Sequence, residues 1–360
     1  MIRIRRLALV LLCAFACGCA SAAGGDKAGG SRSAPVVLRM AGVPANVGLV
    51  PPVADFARRV RALSRGAIRI DFLNSWGDFA PDAEVQVVRA VASGRVDLGV
   101  PASRVFDTLG VSSLQALSAP MLVDSYSAES AVVASDLPRR MLATLERLGV
   151  TGLAVLGDGL RVPIAVRGPL LGPQDWRGKV VGTYRSRVQA RAISAWGATP
   201  LVAIGGYRAQ ALSAGRMQAF ELDVRAYQAL GLQRQAPYVT ANVVLWPQFD
   251  VLLANPRRLA SLTGQQRAWV EQAARQAARD SATLSSHDGA ALRADCAAGA
   301  RFARATPADL AALRRSAAAV YARLERDPET KAYIAAISRL KTRLTTPPGL
   351  AVPRGCLSRR

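Results

Sequence analysis

The sequence predicts an α/β protein in which parallel strands alternate with crossover helices and are shared between two lobes. Two observations support this fold class. Segments with helical periodicity and segments with strand alternation follow one another along most of the chain. The chain also has 360 residues, which is more than one simple core requires and suits two domains.

The first half of the chain contains repeated helix–strand units. DFARRVRALSRG has an apolar helical face and ends at Gly66, after which AIRIDFL alternates as a half-buried strand. A helix that begins at Pro81 ends at Gly94, and VDLGVP follows as a short strand. LPRRMLATLERLG then leads into the strand VTGLAVLG.

The second half continues the alternation through RVPIAV, GKVVGT, SRVQARAISAWGA, GYRAQALSAG and RMQAFELD. Beyond Tyr238, VTANVVLWPQFDVLLANP predicts two extended segments that meet at Pro247. A long helical region at residues 264–298 and two terminal helices complete the chain. Two lobes of this kind place a ligand between them, near the strand ends.

The N-terminus predicts export. MIRIRR precedes the apolar run LALVLLCAFA and then small residues, which is the organisation of a signal peptide and is too short for a stable membrane span. Cys19, after Gly18 and before a Gly/Ser/Ala tether at residues 20–35, is the preferred lipidation site of a lipoprotein signal at residues 1–19. Cys17 is the alternative site, and a secreted form without lipid or a cytoplasmic protein with an apolar first helix are the other interpretations.

Composition argues against several function classes. The net charge is +22, but the arginines are scattered along helices without the aromatic-studded basic stretches of nucleic-acid-binding proteins, so anionic lipid or wall polymer is the better explanation of the charge. A histidine-based metal site or catalytic triad would depend on His287 alone. The sequence contains no phosphate-binding loop, nucleophile elbow or dinucleotide fingerprint, so we expect no cofactor and no enzymatic activity.

The order of many weak motifs carries a family resemblance. SGRVDLGV, LSAPMLVDSYSAES, LERLGVTGLAVLGDGLR, GPLLGPQDWRGKVVGTYRSRVQARAISAWGATPL, ALSAGRMQAFELD and YVTANVVLWP follow one another. In this order they resemble the solute-binding proteins of TRAP transporters, the DctP-like family, over roughly residues 36 to 300. The resemblance implies a two-lobed, type II-like periplasmic-binding-protein clamp with long C-terminal helices.

The clamp fold implies the following domain boundaries. Lobe one would comprise residues 36–157 and 248–287, and lobe two would comprise residues 158–247 and 288–345, followed by a tail at 346–360. Ligands of the family, usually organic acids, lie at the hinge between the lobes.

The resemblance also implies ligand-binding residues. A family phrase that aligns with Asp175, Gly178, Val180 and Val181 ends on an arginine that binds a substrate carboxylate, and this chain has Gly182 at that position. The second family arginine is matched by Arg161. Glu221 is retained, whereas Leu222 replaces an asparagine that faces the ligand.

Other residues are candidates with simple structural alternatives. Trp76, Tyr184 and Trp246 are candidate cleft aromatics, or else core residues. Arg185, with Arg187 close by, is a candidate for restoring the positive charge missing at Gly182, or else a solvated helix-start residue. Arg161 and Glu221, the two residues that match ligand-binding positions of the family, also have an alternative interpretation. In it, they serve only as ion-pair partners of nearby charged residues.

These features predict an exported, lipid-anchored solute-binding protein at the outer face of the cytoplasmic membrane or in the periplasm. Its partners would be a small-molecule ligand and TRAP membrane permease subunits, and it would not bind nucleic acid. A monoanion or a partly apolar molecule is favoured over a dicarboxylate, because Gly182 removes the main clamp. The alternatives are an envelope receptor or scaffold that keeps the clamp fold and, less favoured, an enzyme.

The remaining cysteines predict a disulfide. After removal of the signal, only Cys296 and Cys356 are left, one in the long helical region and one near the C-terminus. An exported chain with two cysteines can form one disulfide. We expect Cys296 to pair with Cys356 and fix the tail to the body of the protein.

Overall fold

A computed structural model describes residues 34–357, apart from residues 282 and 284 and the side chains of residues 285–287. The described chain contains ten strands and fourteen α-helices, joined by short 3₁₀ turns. The strands are β1 (Val36–Ala41), β2 (Ile68–Leu73), β3 (Leu98–Gly99), β4 (Thr151–Ala165), β5 (Val180–Thr183), β6 (Thr199–Val202), β7 (Ala219–Leu222), β8 (Tyr238–Thr240), β9 (Trp246–Ala254) and β10 (Arg301–Ala303).

The helices alternate with these strands through most of the chain. They are α1 (Pro51–Leu63), α2 (Ala83–Ser93), α3 (Tyr126–Ala134), α4 (Leu137–Ala143), α5 (Pro173–Trp176), α6 (Arg187–Ala195), α7 (Gly205–Ser213), α8 (Val224–Ala229), α9 (Pro256–Ser261), α10 (Gly264–Ser281), α11 (Ser285–Ala297), α12 (Pro307–Ser316), α13 (Ala318–Leu324) and α14 (Pro328–Lys341). The α/β fold class predicted from the sequence is confirmed.

Two long antiparallel strands join the lobes. The strand order is β2-β1-β3-β9-β4-β7-β5-β6, with β8 paired to β4 and β10 paired to β8. The first lobe is built on β2, β1, β3, β9 and the start of β4. The second lobe is built on the end of β4 with β7, β5, β6, β8 and β10. Because β4 and β9 remain paired from Thr151↔Ala254 to Arg161↔Trp246, both strands pass from one lobe to the other.

Strand β4 is longer than the sequence pattern suggests. VTGLAVLG and RVPIAV read as separate strands, but the structure joins them in one 15-residue strand that is buried from Ala154 onward. The DG pair between them forms a bulge, where the register with β9 shifts between Gly157 and Leu160. Gly159 has a φ of 114°, a conformation that glycine adopts without the steric cost of a Cβ.

The C-terminal helices pack on both lobes. Leu313 of α12 lies in the second-lobe core with Trp176 and Trp196. In contrast, Tyr333, Ile334 and Ile337 of α14 lie in the first-lobe core, and α14 packs on α3. The assignment of residues 288–345 to lobe two therefore does not hold for α14, whose apolar face is buried by the first lobe.

The structure joins Cys296 of α11 to Cys356 of the tail in a disulfide, with their Cα atoms 5.6 Å apart. This is the pair expected from the sequence. The bond fixes the segment after α14 to the second lobe, and both cysteines pack against the apolar core of that lobe.

The expected signal peptide, the lipidation sites Cys17 and Cys19 and nearly all of the tether lie outside the described residues, as do the last three residues of the tail. Among the helices that the structure describes, none is both long enough and apolar enough to cross a bilayer.

Candidate ligand-binding cavity

A cavity of about 360 Å³ lies between the two lobes, beside the paired strands β4 and β9. This volume is within the range of small-molecule sites. The first lobe contributes Val43, Pro44, Ala45, Leu49, Val50, Phe79, Glu84, Val100 and Arg104. The joining strands contribute Asp158, Arg161, Gln248 and Asp250, and the second lobe contributes Tyr184, Ile204, Gly205, Gly206, Arg208, Leu222, Asp223, Ala226, Ala229 and Leu230.

Three arginines converge on Tyr184 at one end of the cavity. The guanidinium carbons of Arg104, Arg161 and Arg208 lie 4.0, 4.6 and 5.3 Å from the centre of the Tyr184 ring. Burial opposes ionisation of Tyr184, but the positive charges of Arg208, Arg161 and Arg104 outweigh it and lower the pKa of the Tyr184 hydroxyl. This end of the cavity is therefore suited to a negatively charged group.

Arg161 already has two carboxylate partners. Its Nε lies 2.8 Å from Glu221 Oε2, and its Nη1 lies 3.3 Å from Asp223 Oδ2. The Arg161 and Glu221 side chains are buried. The positive charge of Arg161 is thus balanced inside the protein before any ligand is bound.

Arg104 is also paired. Its Nη2 lies 2.7 Å from Glu84 Oε1, and its Nη1 donates a hydrogen bond to Gln248 Oε1 at 2.5 Å. These contacts connect the 3₁₀ turn after β3, the start of α2 and strand β9. Arg104 therefore contributes to the walls of the cavity more than to free positive charge.

Arg208 differs from the other two arginines. Its side chain is buried, and its Nε donates to the Ala203 carbonyl at 3.2 Å. Within the described part of the chain, Arg208 forms no ion pair with a carboxylate. No motif in the sequence marked Arg208 as a candidate site residue. The available signal was its helical spacing, because Arg208 occupies the buried face of α7 together with Ala211 and Leu212.

Carboxylates occupy the joining strands. Gln248 Nε2 donates to Asp250 Oδ1 at 2.7 Å, and Arg225 Nη2 lies 3.0 Å from Asp158 Oδ1. Burial raises the pKa of Asp250 to about 6 and that of Asp158 well above its usual range. Where they are ionised, these acids repel a second anionic group on the strand side of the cavity.

Part of the cavity wall is apolar. Val43, Leu49, Val50, Phe79, Val100, Ile204, Leu222, Ala226, Ala229 and Leu230 line it. Leu49 and Leu230 are 44% and 52% exposed, so the apolar wall reaches the protein surface. They belong to the short 3₁₀ turn before α1 and the end of α8, segments of opposite lobes that contact each other.

The structure places two of the candidate ligand-binding residues, Arg161 and Tyr184, at the cavity wall. Glu221 lies behind the wall as the partner of Arg161, which matches the ion-pair alternative for both residues. Gly182 is buried and faces the core: a Cβ built there would overlap Met217 Sδ and lie 3.1 Å from Phe220 Cβ. A side chain at position 182 would therefore point into the core, so the assignment of Gly182 to the ligand-binding residues is wrong.

The other candidates lie outside the described lining of this cavity. Trp246 is fully buried and stacks on Trp196, with ring centroids 6.3 Å apart. Trp76 packs against the first-lobe core beneath the guanidinium of Arg95. Arg185 is exposed and lines a second groove of about 500 Å³, so it does not replace the charge missing at Gly182.

Comparisons with known proteins agree with this architecture. The family described as "Bacterial extracellular solute-binding protein, family 7", DctP, matches residues 47–327. A curated relative, the C4-dicarboxylate-binding periplasmic protein DctP of Rhodobacter capsulatus, is 26% identical over 162 residues, which are 45% of this chain and 47% of that protein. The chain thus matches about half the length of this relative.

Solved structures of TRAP periplasmic solute-binding proteins share the fold. One from Ralstonia eutropha H16, with bound (S)-2-acetolactate, has a TM-score of 0.76 at 22% identity and covers 86% of this chain and 99% of its own. One from Chromohalobacter salexigens, with bound D-glucuronate, has a TM-score of 0.75 at 18% identity and covers 84% and 99%. A third, from Bordetella bronchiseptica with density attributed to pantoate, has a TM-score of 0.72 at 18% identity and covers 84% and 98%.

The family match covers most of the chain, and the TM-scores show that the chain shares the fold of these solved structures. The two-lobed clamp expected from the sequence is therefore confirmed. The chain belongs to the DctP family of bacterial extracellular solute-binding proteins, family 7.

Proposed function

We propose that this protein captures a small organic anion in the cavity between its lobes and delivers it to TRAP membrane permease subunits. The observation that carries the proposal is the convergence of Arg104, Arg161 and Arg208 on Tyr184 inside a cavity that both lobes line. Contacts from both lobes stabilise the closed form more than the open form, which is the differential binding that closure requires.

The charge distribution favours a ligand with one anionic group. Two of the three arginines already contact carboxylates, and Asp158 and Asp250 occupy the strand side. Leu222 and the apolar wall favour a partly apolar body. The acetolactate and pantoate of two structural relatives are branched monocarboxylates, whereas the Rhodobacter relative is described as binding C4-dicarboxylates.

A ligand screen tests the function. Thermal shift of the purified protein against branched aliphatic monocarboxylates, dicarboxylates and the more polar uronates should show the largest shift with the aliphatic monocarboxylates. A ligand present at one hundred times its Kd stabilises the folded state by about 2.7 kcal/mol. Recovery of the ligand unchanged after incubation is expected for a binding protein, and turnover would indicate an enzyme. Failure of every organic acid to bind would contradict the proposed function.

The joining strands β4 and β9 support the lobe boundaries predicted from the sequence. We infer that the lobes rotate about the β4 bulge at residues 157–160 and the facing part of β9, which supports boundaries near 157/158 and 247/248. The register shift between Gly157 and Leu160 interrupts regular pairing at this point. Hydrogen–deuterium exchange should show ligand-dependent protection there.

We also propose that the protein is lipid-anchored outside the cytoplasmic membrane. The support is the apolar run followed by Gly18, Cys19 and a segment rich in Gly, Ser and Ala. Mass spectrometry of the protein purified from membranes should find diacylglyceryl on Cys19. Diacylglyceryl on Cys17 would assign the lipidation site to that residue. A mature chain that begins beyond Cys19 and carries no lipid would contradict the proposed lipid anchor.

A further inference from the structure

We propose that Arg208 binds the carboxylate of the ligand and that the apolar body of the ligand extends from it toward Leu49 and Leu230. This inference rests on the proposed function and assigns the anion-binding role to a different residue from the one that the sequence resemblance implied. It also specifies the ligand class, an amphipathic monocarboxylate.

The positive charges around Tyr184 are only partly balanced by carboxylates of the protein. Arg161 contacts Glu221 and Asp223, and Arg104 contacts Glu84. Arg208 lines the same cavity and has no carboxylate partner among the described residues. A ligand carboxylate would therefore complete the ion pair that the fold leaves open at Arg208.

Burying Arg208 without a carboxylate partner is energetically unfavourable. Arg208 is only 4% exposed. A buried charge without a partner destabilises the folded state by several kcal/mol, so such groups are paired unless the site uses the charge. An arginine held in this state is preorganised for an anion that arrives from outside.

The guanidinium of Arg208 is held in a defined orientation. Its Nε is held by the Ala203 carbonyl at 3.2 Å, and its carbon lies 5.3 Å from the Tyr184 ring centre and 5.6 Å from that of Phe220. Because the hydrogen bond to Ala203 uses Nε, the two Nη atoms remain for a ligand. A planar guanidinium fixed in this way can donate paired hydrogen bonds to both oxygens of a carboxylate.

Apolar residues of the cavity lining would contact the part of the ligand beyond its carboxylate. Ile204 precedes Arg208 by one helical turn, with the Arg208 N–H donating to the Ile204 carbonyl at 3.4 Å, and the exposed Leu49 and Leu230 line the same cavity. The two leucines lie on segments of opposite lobes that contact each other. An aliphatic body along this wall would contact both lobes, whereas a second carboxylate there would lose hydration without a partner.

The experiment measures the preference for a carboxylate over its neutral amide. Calorimetry with 4-methylpentanoate and 4-methylpentanamide, with pantoate and pantoamide, and with succinate would be performed on the unmodified protein, Arg208→Met and Arg216→Met. Arg216 is the matched control because it follows the same helix, is exposed and lies outside the described cavity lining. The unmodified protein and the Arg216 variant should bind at least one carboxylate about 10- to 100-fold more tightly than its amide.

The Arg208→Met variant should lose this preference while it remains folded, as its unliganded melting curve shows. Arg208→Gln serves as the second variant if the methionine variant does not fold. Retention of the carboxylate preference in either folded Arg208 variant would overturn the inference. So would binding of succinate without any carboxylate-over-amide preference, although the proposed function would then stand; binding of no organic acid would overturn both.

Discussion

Arg161 is a structural residue as well as part of the cavity wall, because its guanidinium contacts two buried carboxylates. Arg161→Met leaves Glu221 and Asp223 without their cation. Breaking a buried ion pair from one side costs about 3–5 kcal/mol, so we expect the free energy of unfolding to fall by about this amount. Urea denaturation of the unliganded protein measures the change.

The matched control for this prediction is the double variant Arg161→Met, Glu221→Gln, which removes one of the two orphaned charges. It should recover part of the lost stability, because an uncharged amide is less costly to bury than a carboxylate. Equal stability of the unmodified protein and Arg161→Met would show that the two ion pairs contribute nothing to folding. In that case Arg161 would be available for a ligand.

Gly182 is required by space and not by backbone conformation. Its Cβ would meet Met217 and Phe220, both of which are buried. We expect Gly182→Ala to lower stability by about 1–3 kcal/mol, the usual cost of overpacking, and Gly182→Arg to prevent folding. Adding Met217→Ala to Gly182→Ala should restore part of the loss, as measured by Tm; no recovery would place the conflict elsewhere.

The sequence identified some site residues and not others for physical reasons. Arg161 could be found because the family's Gly-x-Arg phrase matches Gly159 and Arg161, and Tyr184 because it is an aromatic residue directly after the strand GKVVGT. Gly182 was misassigned because a motif position does not report which face of a strand meets the core. Arg208 was missed because its proposed role depends on the absence of an acidic partner among the described residues, which is a property of the folded neighbourhood and not of any local spacing.

Among the secondary-structure elements, helix boundaries were easier to predict than strand continuity. Gly94 and Gly149 end helical segments in left-handed conformations, so the sequence signal and the structural cause are the same. The joining of VTGLAVLG and RVPIAV into β4 could not be predicted, because a glycine-containing bulge resembles a turn until a partner strand continues past it. The packing of α14 on the first lobe also depends on contacts distant in sequence.

The disulfide connects α11 to the C-terminal tail over a separation of 60 residues. Loop closure of this length stabilises the folded state by about 4 kcal/mol in the chain-entropy model. Cys296→Ser combined with Cys356→Ser should therefore lower the free energy of unfolding by up to this amount. Denaturation of the oxidised, reduced and doubly substituted proteins checks the prediction; a reduced protein as stable as the oxidised one would contradict it.

On the scale of the whole molecule, a buried acidic cluster lies where α3, β4, α8 and α11 meet. Gly159 N donates to Glu129 Oε1 at 3.3 Å, Arg225 lies 3.0 Å from Asp158 and 3.4 Å from Asp288, and Tyr126 donates to Asp288. These elements belong to both lobes and surround the β4 bulge. Protonation within this cluster therefore affects the region about which we infer the lobes to move.

Glu129 gives this cluster a defined pH dependence. Burial raises its pKa to about 8, despite the opposing effects of the Gly159 and Asp158 backbone groups and Arg225, and Asp288 adds to the rise. The pKa of a glutamate in an unfolded chain is about 4.3, so the folded state binds the proton more tightly. The stability that this proton contributes is complete below about pH 4.3 and is lost as the pH rises toward about 8.

We therefore expect the Tm of the unmodified protein to fall between about pH 5 and 8, more steeply than that of Glu129→Gln, because the amide resembles the protonated carboxyl and does not ionise. Asp250 and Asp288, whose pKa values are both raised to about 6, act in the same direction and leave a residual slope in the variant. Glu146→Gln, at an exposed position, is the matched control and should keep the full slope. Calorimetric melting curves measured over this range decide the matter, since equal slopes in the unmodified protein and Glu129→Gln would mean that Glu129 is ionised in the folded hinge at neutral pH.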